Sequence, residues 1–141
     1  MDIISSRDYV NKAETVITEL IDEAKRVSKN PRIEDNYVIL STSQIRKQLS
    51  MTAELFALAE QEASDTLDQD LRDRIEYLRV QFVYLAGKDQ DREKPVRKFV
   101  EKAGILQILT SINGNKNDFL TFCRYMEALV AFRKFYGKED K

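Results

Sequence analysis

The lysine and arginine side chains of this 141-residue sequence are its best candidates for a functional site, because its acidic and nucleophilic side chains form no recognisable catalytic set. Histidine is absent, which removes Ser-His-Asp and Cys-His nucleophiles and the Glu-x-x-His ligands of di-iron bundles. Cys123 is the single cysteine, so the chain has no thiolate cluster for zinc and no internal disulfide. Glycine-rich phosphate loops are also missing. We therefore expect no catalytic residues, no metal and no cofactor.

Glu127 is the best candidate for an acid–base group, because it lies within an apolar stretch. Arg124 precedes it by three residues, and residues three apart are neighbours on a helix. We therefore predict a partly buried ion pair between the two side chains rather than a catalytic carboxylate. The sequence as a whole argues against an enzyme.

Arg46 and Lys47 fall in the first turns of a predicted helix, where the helix dipole disfavours cations and free N–H groups favour phosphate. Their position indicates an anionic partner, although two ordinary surface cations would give the same pattern. Arg72 and Arg79 share a helix face with Glu76, and we predict that these three form a salt-bridged surface.

Charge is distributed unevenly along the chain. The net charge is only −1, yet residues 95–141 hold nine Lys and Arg against five Asp and Glu. This basic third fits a polyanionic partner, and it fits an uneven but solvated surface equally well.

The N-terminus does not resemble a signal peptide. Asp2, Arg7 and Asp8 interrupt its apolar residues before a long run forms. We therefore expect a protein of the reducing cytoplasm with no membrane association.

Apolar residues recur at helical spacing, which predicts an all-α fold: a single compact bundle of five or six helices. Residues 29–36, around Pro31, are predicted to form a loop, and the β-prone residues 37–40 lack a partner strand. We expect one helical domain over residues 1–141, with a flexible C-terminal tail from about residue 138. The predicted helices cover residues 7–28, 41–63, 71–86, 95–103, 105–112 and 117–136.

Local signals mark the helix starts. Ser41 and Gln44 have the spacing of a capping box at the second helix, with Leu40 and Ile45 placed to form a hydrophobic staple. Pro95 suits the first position of the fourth helix, where a missing N–H does least harm.

Glycine and asparagine mark the remaining boundaries. Asn117 or Asp118 is predicted to cap the last helix. Each glycine follows a helical pattern and is predicted to end its helix in the left-handed conformation. These glycines are Gly87, Gly104, Gly114 and Gly137.

Two helices are predicted to be central. The helix over 117–136 is apolar nearly all round, so we expect it to be buried on more than one side, with Cys123 as a small buried hydrophobe. Its charges are too frequent for a membrane span. The helix over 71–86 also has apolar residues beyond its inward face, which predicts a second central element. The residues beyond that face are Tyr77, Val80, Val83 and Tyr84. The aromatic residues of the chain as a whole recur at helical spacing, which favours core packing over base stacking.

Three motifs, in order, resemble the small subunit of type III-A CRISPR–Cas effectors, the Csm complex. They are STSQIRKQLS (41–50), IEYLRVQFVYLAGK (75–88) and CRYMEALVAFRKFYGKED (123–140). The resemblance covers about residues 37–140. Lys88 stands where an arginine usually follows the glycine, and Phe132 replaces a usual tyrosine; the charge and the ring are kept.

The resemblance implies a non-catalytic helical subunit present in several copies. These copies stack as a minor filament beside the backbone subunits that hold the guide RNA, along the channel where target RNA pairs with the guide. The implied partners are guide RNA, target RNA, the backbone and large subunits, and other copies of the same chain.

The resemblance also suggests which cations bind RNA, through their positions in the three motifs. Arg133 is discounted, because it occupies a variable position. A helical protein–protein adaptor without nucleic-acid contact remains the alternative, with the same cations forming ion pairs to neighbouring subunits. The RNA-binding candidates are Arg46, Lys47, Arg79, Lys88, Arg124 and Lys134.

Overall fold

The computed structural model describes residues 4–28 and 36–139, and within them the chain forms six α-helices. The all-α prediction is confirmed, while most of the predicted loop over 29–36 lies outside the described residues. The helices are α1 (Tyr9–Arg26), α2 (Thr42–Glu60), α3 (Gln69–Gly87), α4 (Pro95–Ala103), α5 (Ile105–Ile112) and α6 (Lys116–Tyr136).

Helix α6 is the core of the bundle, as its composition predicts. It packs most extensively against α1 on one side and α2 on the other. Phe122 is fully buried, with its ring centroid 6.3 Å from that of Phe119 and 6.4 Å from that of Phe82 on α3. Cys123 is buried beside them, as predicted. Apolar burial along this one helix therefore links most of the fold.

Helix α2 runs antiparallel to α6. Arg133 near the end of α6 donates from Nε to the Leu40 carbonyl just before α2, at 2.8 Å. At the other end, Lys116 at the start of α6 donates to the Glu62 carbonyl just after α2. The start of α2 therefore lies beside the end of α6.

Helix α3 is also antiparallel to α2. Arg74, in the second turn of α3, lies 3.9 Å from the carboxylate of Glu54 in the second half of α2. The start of α2 and the end of α3 border one cleft. One end of the bundle thus gathers the start of α2, the end of α3 and the end of α6.

The predicted capping box at α2 is present. Ser41 Oγ accepts from the Gln44 N–H at 3.1 Å, and Gln44 Oε1 accepts from the Ser41 N–H at 2.7 Å. Leu40 and Ile45 are both fully buried, as expected for the two residues of a staple. Pro95 is the first residue of α4, again as predicted.

The predicted cap of α6 is wrong. Neither Asn117 nor Asp118 caps the helix: Asn115 does, accepting the Asp118 N–H on Oδ1 at 2.9 Å. Gly114 turns the chain with a φ of +80°, so α6 begins at Lys116. The tighter turn leaves Asn115 as the extended residue that precedes the helix.

Two of the four predicted glycine stops are left-handed. Gly104 and Gly114 have positive φ, and Gly104 joins α4 directly to α5. Gly87 is instead the last residue of α3, followed by Lys88 in the right-handed region, and Gly137 is extended. These two predictions are wrong, because both helices end without a left-handed turn.

The outer face of α3 contradicts the prediction of a second central helix. Its inward stripe is buried, but the apolar residues beyond that stripe are exposed. Helix α3 packs mainly against α2, α4 and α5, with Phe82 also contacting Phe122 of α6, and these neighbours leave its outer face uncovered. The exposed side chains are Tyr77 (63%), Val80 (56%), Val83 (52%) and Tyr84 (63%).

The segment after α6 is anchored where it begins. The Lys138 N–H donates to the Tyr37 hydroxyl at 2.8 Å, and the Lys138 carbonyl accepts from Arg133 Nη1 at 2.9 Å. Residues 140–141 of the expected tail lie outside the described residues. The backbone at Lys138 is therefore part of the packed structure.

Candidate nucleic-acid interface

A cleft of about 540 Å³ separates the start of α2 from the end of α3. It brings together residues from the first two motifs, which are far apart in sequence. Lys47 comes from α2, and Lys88 follows the last turn of α3. The cleft is lined by Gln44, Lys47, Gln48, Tyr84, Leu85, Lys88, Asp89, Gln90 and Val96.

The two lysines outnumber the one carboxylate of the cleft, Asp89, so the lining carries a net positive charge. Both side chains are exposed, and neither is in an ion pair with any described residue. Lys88 Nζ lies 5.5 Å from the centroid of the Tyr84 ring, a cation–π distance. Two ammonium groups at one concave surface attract anions, and their flexible stems let them follow a ligand.

Gln48 lies in the wall of the cleft with an unmet hydrogen-bonding group. Its side chain is 1% exposed, and its Oε1 is buried without a donor among the described residues. A buried acceptor without a partner costs about 1–3 kcal/mol. A hydroxyl group or water reaching this carboxamide would recover part of that cost.

Asp89 is the carboxylate of the cleft, and it is already engaged. Oδ2 accepts the Val96 N–H at 2.7 Å, and Oδ1 accepts the Asp91 N–H at 3.2 Å. Lys94 adopts a left-handed conformation before α4 and donates to the Asp89 carbonyl. Asp89 thus serves α4 as a cap from the preceding loop, and its charge is partly balanced by backbone N–H groups.

Arg46 and Lys134 lie at the same end of the bundle but outside the lining of the cleft. Arg46 is exposed and is rotated about 100° from Lys47 around the axis of α2. Lys134 is exposed and follows Arg133, whose bond to Leu40 brings the end of α6 to the start of α2. Four of the six predicted cations therefore share one end.

Arg79 is held within the protein. Its guanidinium lies 2.8 Å from the carboxylate of Glu76 and 3.4 Å from Thr110 Oγ1 on α5. The predicted Glu76–Arg79 pair is confirmed, whereas Arg72 donates to the Asn113 carbonyl at 3.2 Å instead. Arg79 already has partners, so it is less available to an external anion than Lys47 or Lys88.

The predicted pair of Arg124 and Glu127 is wrong. Both side chains are exposed, and no ion pair joins them in the described part of the chain. They lie on the one outward stripe of α6, where water solvates each charge separately. Burial raises the pKa of the neighbouring Cys123 thiol, with Glu127 raising it further and Arg124 lowering it. A thiol of this kind stays protonated and unreactive.

Arg133 is the residue that sequence reasoning undervalued. It is 1% exposed and is the largest fully buried side chain among the described residues. It follows Leu129 by four residues on the buried stripe of α6, and this spacing was the signal that could have revealed it. Its bonds to the carbonyls of Leu40 and Lys138 make it a structural residue.

The end of the bundle opposite the cleft is acidic. Residues 60–73 connect the end of α2 to the start of α3 and hold six Asp and Glu against one basic residue, Arg72. The bundle is therefore polarised along the axes of α2, α3 and α6.

Neither a metal site nor a membrane-spanning helix is found in the described residues 4–28 and 36–139. They contain no group of three or more Cys, Asp or Glu side chains placed to hold a metal ion. Over the same ranges, no helix combines the length and apolarity needed to cross a membrane.

Comparisons with known proteins agree with the resemblance seen in the motifs. The family model described as Csm2 Type III-A matches residues 14–139. A "CRISPR system Cms protein Csm2" of Streptococcus thermophilus is 43% identical over 140 residues, covering 99% of this chain and all of that protein. Its namesake in Mycobacterium tuberculosis is 45% identical over 102 residues (72% of this chain, 79% of that protein), and one in Enterococcus italicus is 35% identical over 141 (91% and 98%). With a family model covering most of its length and relatives this similar, the chain belongs to the Csm2 family of type III-A.

Proposed function

We propose that this protein is a non-catalytic small subunit of a type III-A CRISPR RNA-guided complex. In this role it binds the backbone of the guide–target RNA without sequence specificity and bridges neighbouring subunits. The observation that carries the proposal is the meeting of Lys47 and Lys88, from two separate motifs, at one cleft where neither is ion-paired with an acidic residue in the described part of the chain.

The chemistry of the cleft suits phosphate. A lysine ammonium is a compact point charge that binds phosphate oxygens without requiring a fixed geometry. Contacts of this kind fix an RNA in place but carry no sequence information. A subunit that must accept any guide sequence needs such contacts.

Arg46 and Lys134 extend the basic end beyond the cleft and are assigned weaker contacts with the same RNA. Arg124 lies about 15 Å from Lys134 along α6 and would require an RNA path across that helix. Arg79 acts mainly within the protein, through its ion pair with Glu76. We therefore rank Lys47 and Lys88 first among the six candidates.

Repetition along a filament would compensate for weak single contacts. The acidic segment over 60–73 and the basic end are complementary, so copies stacked head to tail attract each other. Linked sites raise the effective concentration of each additional contact, so a subunit that binds RNA weakly alone can bind well in the assembly.

The test is a salt titration of RNA binding by the assembled complex. Lys47→Ala and Lys88→Ala should each weaken binding and lower the slope of log affinity against log salt by roughly 1. Arg74→Ala is the matched control: it also removes one positive charge from α3, but at the acidic end, where Arg74 pairs with Asp70. Binding unchanged by both lysine substitutions would overturn the assignment of the cleft.

A second candidate function is a protein–protein adaptor without nucleic-acid contact, and the exposed apolar face of α3 favours it. The same variants separate the two functions. If Lys47→Ala and Lys88→Ala leave RNA affinity intact but lower the yield of assembled complex, the cations serve protein partners. Size-exclusion chromatography of reconstituted complexes measures this directly.

A further inference from the structure

Gln48 is a buried polar side chain in the wall of the cleft between α2 and α3. It is 1% exposed, and its Oε1 accepts no hydrogen bond from any residue that the structure describes. Among the described residues, one other buried side-chain atom lacks a partner: Arg79 Nε, whose guanidinium is already bonded to Glu76 and Thr110. The packing of the protein therefore gives no reason for a carboxamide at position 48.

The carbonyl oxygen of a carboxamide only accepts hydrogen bonds, so the group that it lacks is a donor. A phosphate cannot supply this donor, because its oxygens are acceptors at neutral pH. The two lysines of the cleft can hold the phosphate instead: Lys47 is the residue before Gln48, and Lys88 comes from the opposite wall. Gln48 thus suits a second group of the same ligand, one that lies beside a phosphate and carries an O–H or N–H.

RNA offers two kinds of donor beside its phosphates. The base edges carry N–H groups, but these differ from one base to the next. The 2′-hydroxyl is the same on every nucleotide, and an A-form helix displays it in a wide, shallow minor groove. A contact that must tolerate any sequence can use only the 2′-hydroxyl.

We propose that Gln48 accepts a hydrogen bond from a ribose 2′-hydroxyl and makes the cleft select RNA over DNA. This inference rests on the proposed function, since it assigns the sugar of the nucleic acid whose phosphates Lys47 and Lys88 bind. The last torsion of a glutamine side chain is broad, so the carboxamide can turn toward an arriving hydroxyl. Leu85 and Val96 also line the cleft, and an apolar lining strengthens a hydrogen bond made beside it.

An acceptor that only a ligand satisfies lowers the stability of the free protein. Replacing it by an apolar side chain of similar shape leaves nothing unpaired, so the fold should not be weakened. Gln48→Met is such a replacement, and its Tm should equal or exceed that of the parent protein. A clearly lower Tm would mean that the carboxamide already serves the fold, and would count against the inference.

Binding of short duplexes to the full chain tests the contact itself. The probes are an RNA duplex and a duplex of the same sequence with 2′-fluoro sugars, which keeps the A-form but has no hydroxyl to donate. NMR titration at low salt measures even weak binding. The parent protein should prefer the RNA duplex on the order of threefold to tenfold, the effect of one hydrogen bond. Gln48→Met should lose this preference and bind both duplexes as the parent protein binds the fluorinated one.

Gln90→Met is the matched control, because Gln90 lines the same cleft but is exposed. It should leave the preference unchanged, and an equal loss in both glutamine variants would contradict the assignment to Gln48. Lys47→Ala should weaken binding of both duplexes by the same factor and keep the preference.

The outcomes separate this inference from the function on which it rests. If Gln48→Met keeps the preference, or the parent protein has none, the sugar contact is wrong while the phosphate contacts stand. If neither duplex binds the parent protein, or if Lys47→Ala and Lys88→Ala change nothing, the proposed function itself fails.

Discussion

Helices α3 and α6 have similar apolar content but opposite positions in the bundle. Over most of α6, apolar residues cover every side except one narrow stripe, and neighbouring helices cover those sides; only Phe135 and Tyr136 in its last turn are exposed among its large apolar residues. In α3, charged residues flank the inward face, and the apolar residues beyond them face solvent. Apolar content thus predicts that a helix makes contacts, while the position of its charges indicates whether those contacts lie within the protein or outside it.

Removing one aromatic ring from α6 and one from α3 should give the largest difference in stability between two variants. Phe122→Ala on α6 should lower the free energy of unfolding by about 3–5 kcal/mol, because it opens a cavity between Phe82 and Phe119. Tyr77→Ala on the outer face of α3 should change it by less than about 0.5 kcal/mol. Urea denaturation of both variants measures the contrast, and similar losses would mean that the outer face of α3 is also packed.

Alanine substitutions of two arginines on α6 should differ nearly as much in their effect on stability. Arg133→Ala should lower the free energy of unfolding by roughly 3 kcal/mol, because the buried carbonyl of Leu40 and the part-buried carbonyl of Lys138 lose their donor. Arg124→Ala, on the exposed stripe, should be within about 0.5 kcal/mol of the parent protein. Urea denaturation of both variants measures the difference in stability. An Arg133→Ala variant as stable as the parent protein would show that water replaces the guanidinium at no cost.

The capping box should have an intermediate effect. Ser41→Ala should lower stability by about 1 kcal/mol, because the Gln44 N–H loses its acceptor at the start of α2. Ser43→Ala, two residues later and exposed, provides the control. Hydrogen exchange in the first turn of α2 should speed up in the first variant alone; equal exchange in both would mean that the cap adds little.

A surface ion pair should give the smallest effect. Lys102 Nζ lies 2.9 Å from Glu23 and 3.0 Å from Glu19, between α4 and α1. Its hydrogen bond lowers the pKa of Glu23 below the ordinary 4.5, so the stabilisation is present above that pH and is lost as pH falls through the lowered value. The bond to Glu23 also raises the pKa of Lys102 above 10.5. At high pH the stabilisation is therefore lost only in alkali, as Lys102 loses its proton.

Lys102→Met should therefore cost less than about 1 kcal/mol near neutral pH. The difference between this variant and the parent protein should shrink as pH falls from neutral through the lowered pKa of Glu23, and should disappear in acid, where Glu23 is protonated in both the folded and the unfolded chain. Thermal unfolding across that range measures it. A difference that persists in acid would show that Lys102 acts through its methylene groups.

The fold was largely predictable because the signals were local. Helical spacing and the capping box at Ser41 depend on neighbours within one or two turns, and these survive in any packing arrangement. The cap of α6 was missed because the turn at Gly114 also depends on a distant side chain. A Cβ at Gly114 would lie 2.4 Å from Arg72 Nε, a contact that the sequence does not reveal.

The candidate site was predictable only in part. The motifs identified Lys47 and Lys88 as cations, but their meeting at one cleft depends on α2 and α3 being antiparallel. Arg79 and Arg124 were selected by the same reasoning, although one is paired and the other lies apart. The sequence shows directly which positions carry a positive charge. Whether a cation is available to a ligand depends instead on which groups tertiary packing brings close to it.

The central position of α6 also affects how the chain folds as it leaves the ribosome. Helices α1 and α2 find their main packing partner in residues 116–136, which are synthesised after both of them. At about 5–20 residues per second, their apolar stripes stay uncovered for several seconds of synthesis. We therefore expect the nascent chain to bind chaperones through α1 and α2, and to fold only once α6 has emerged.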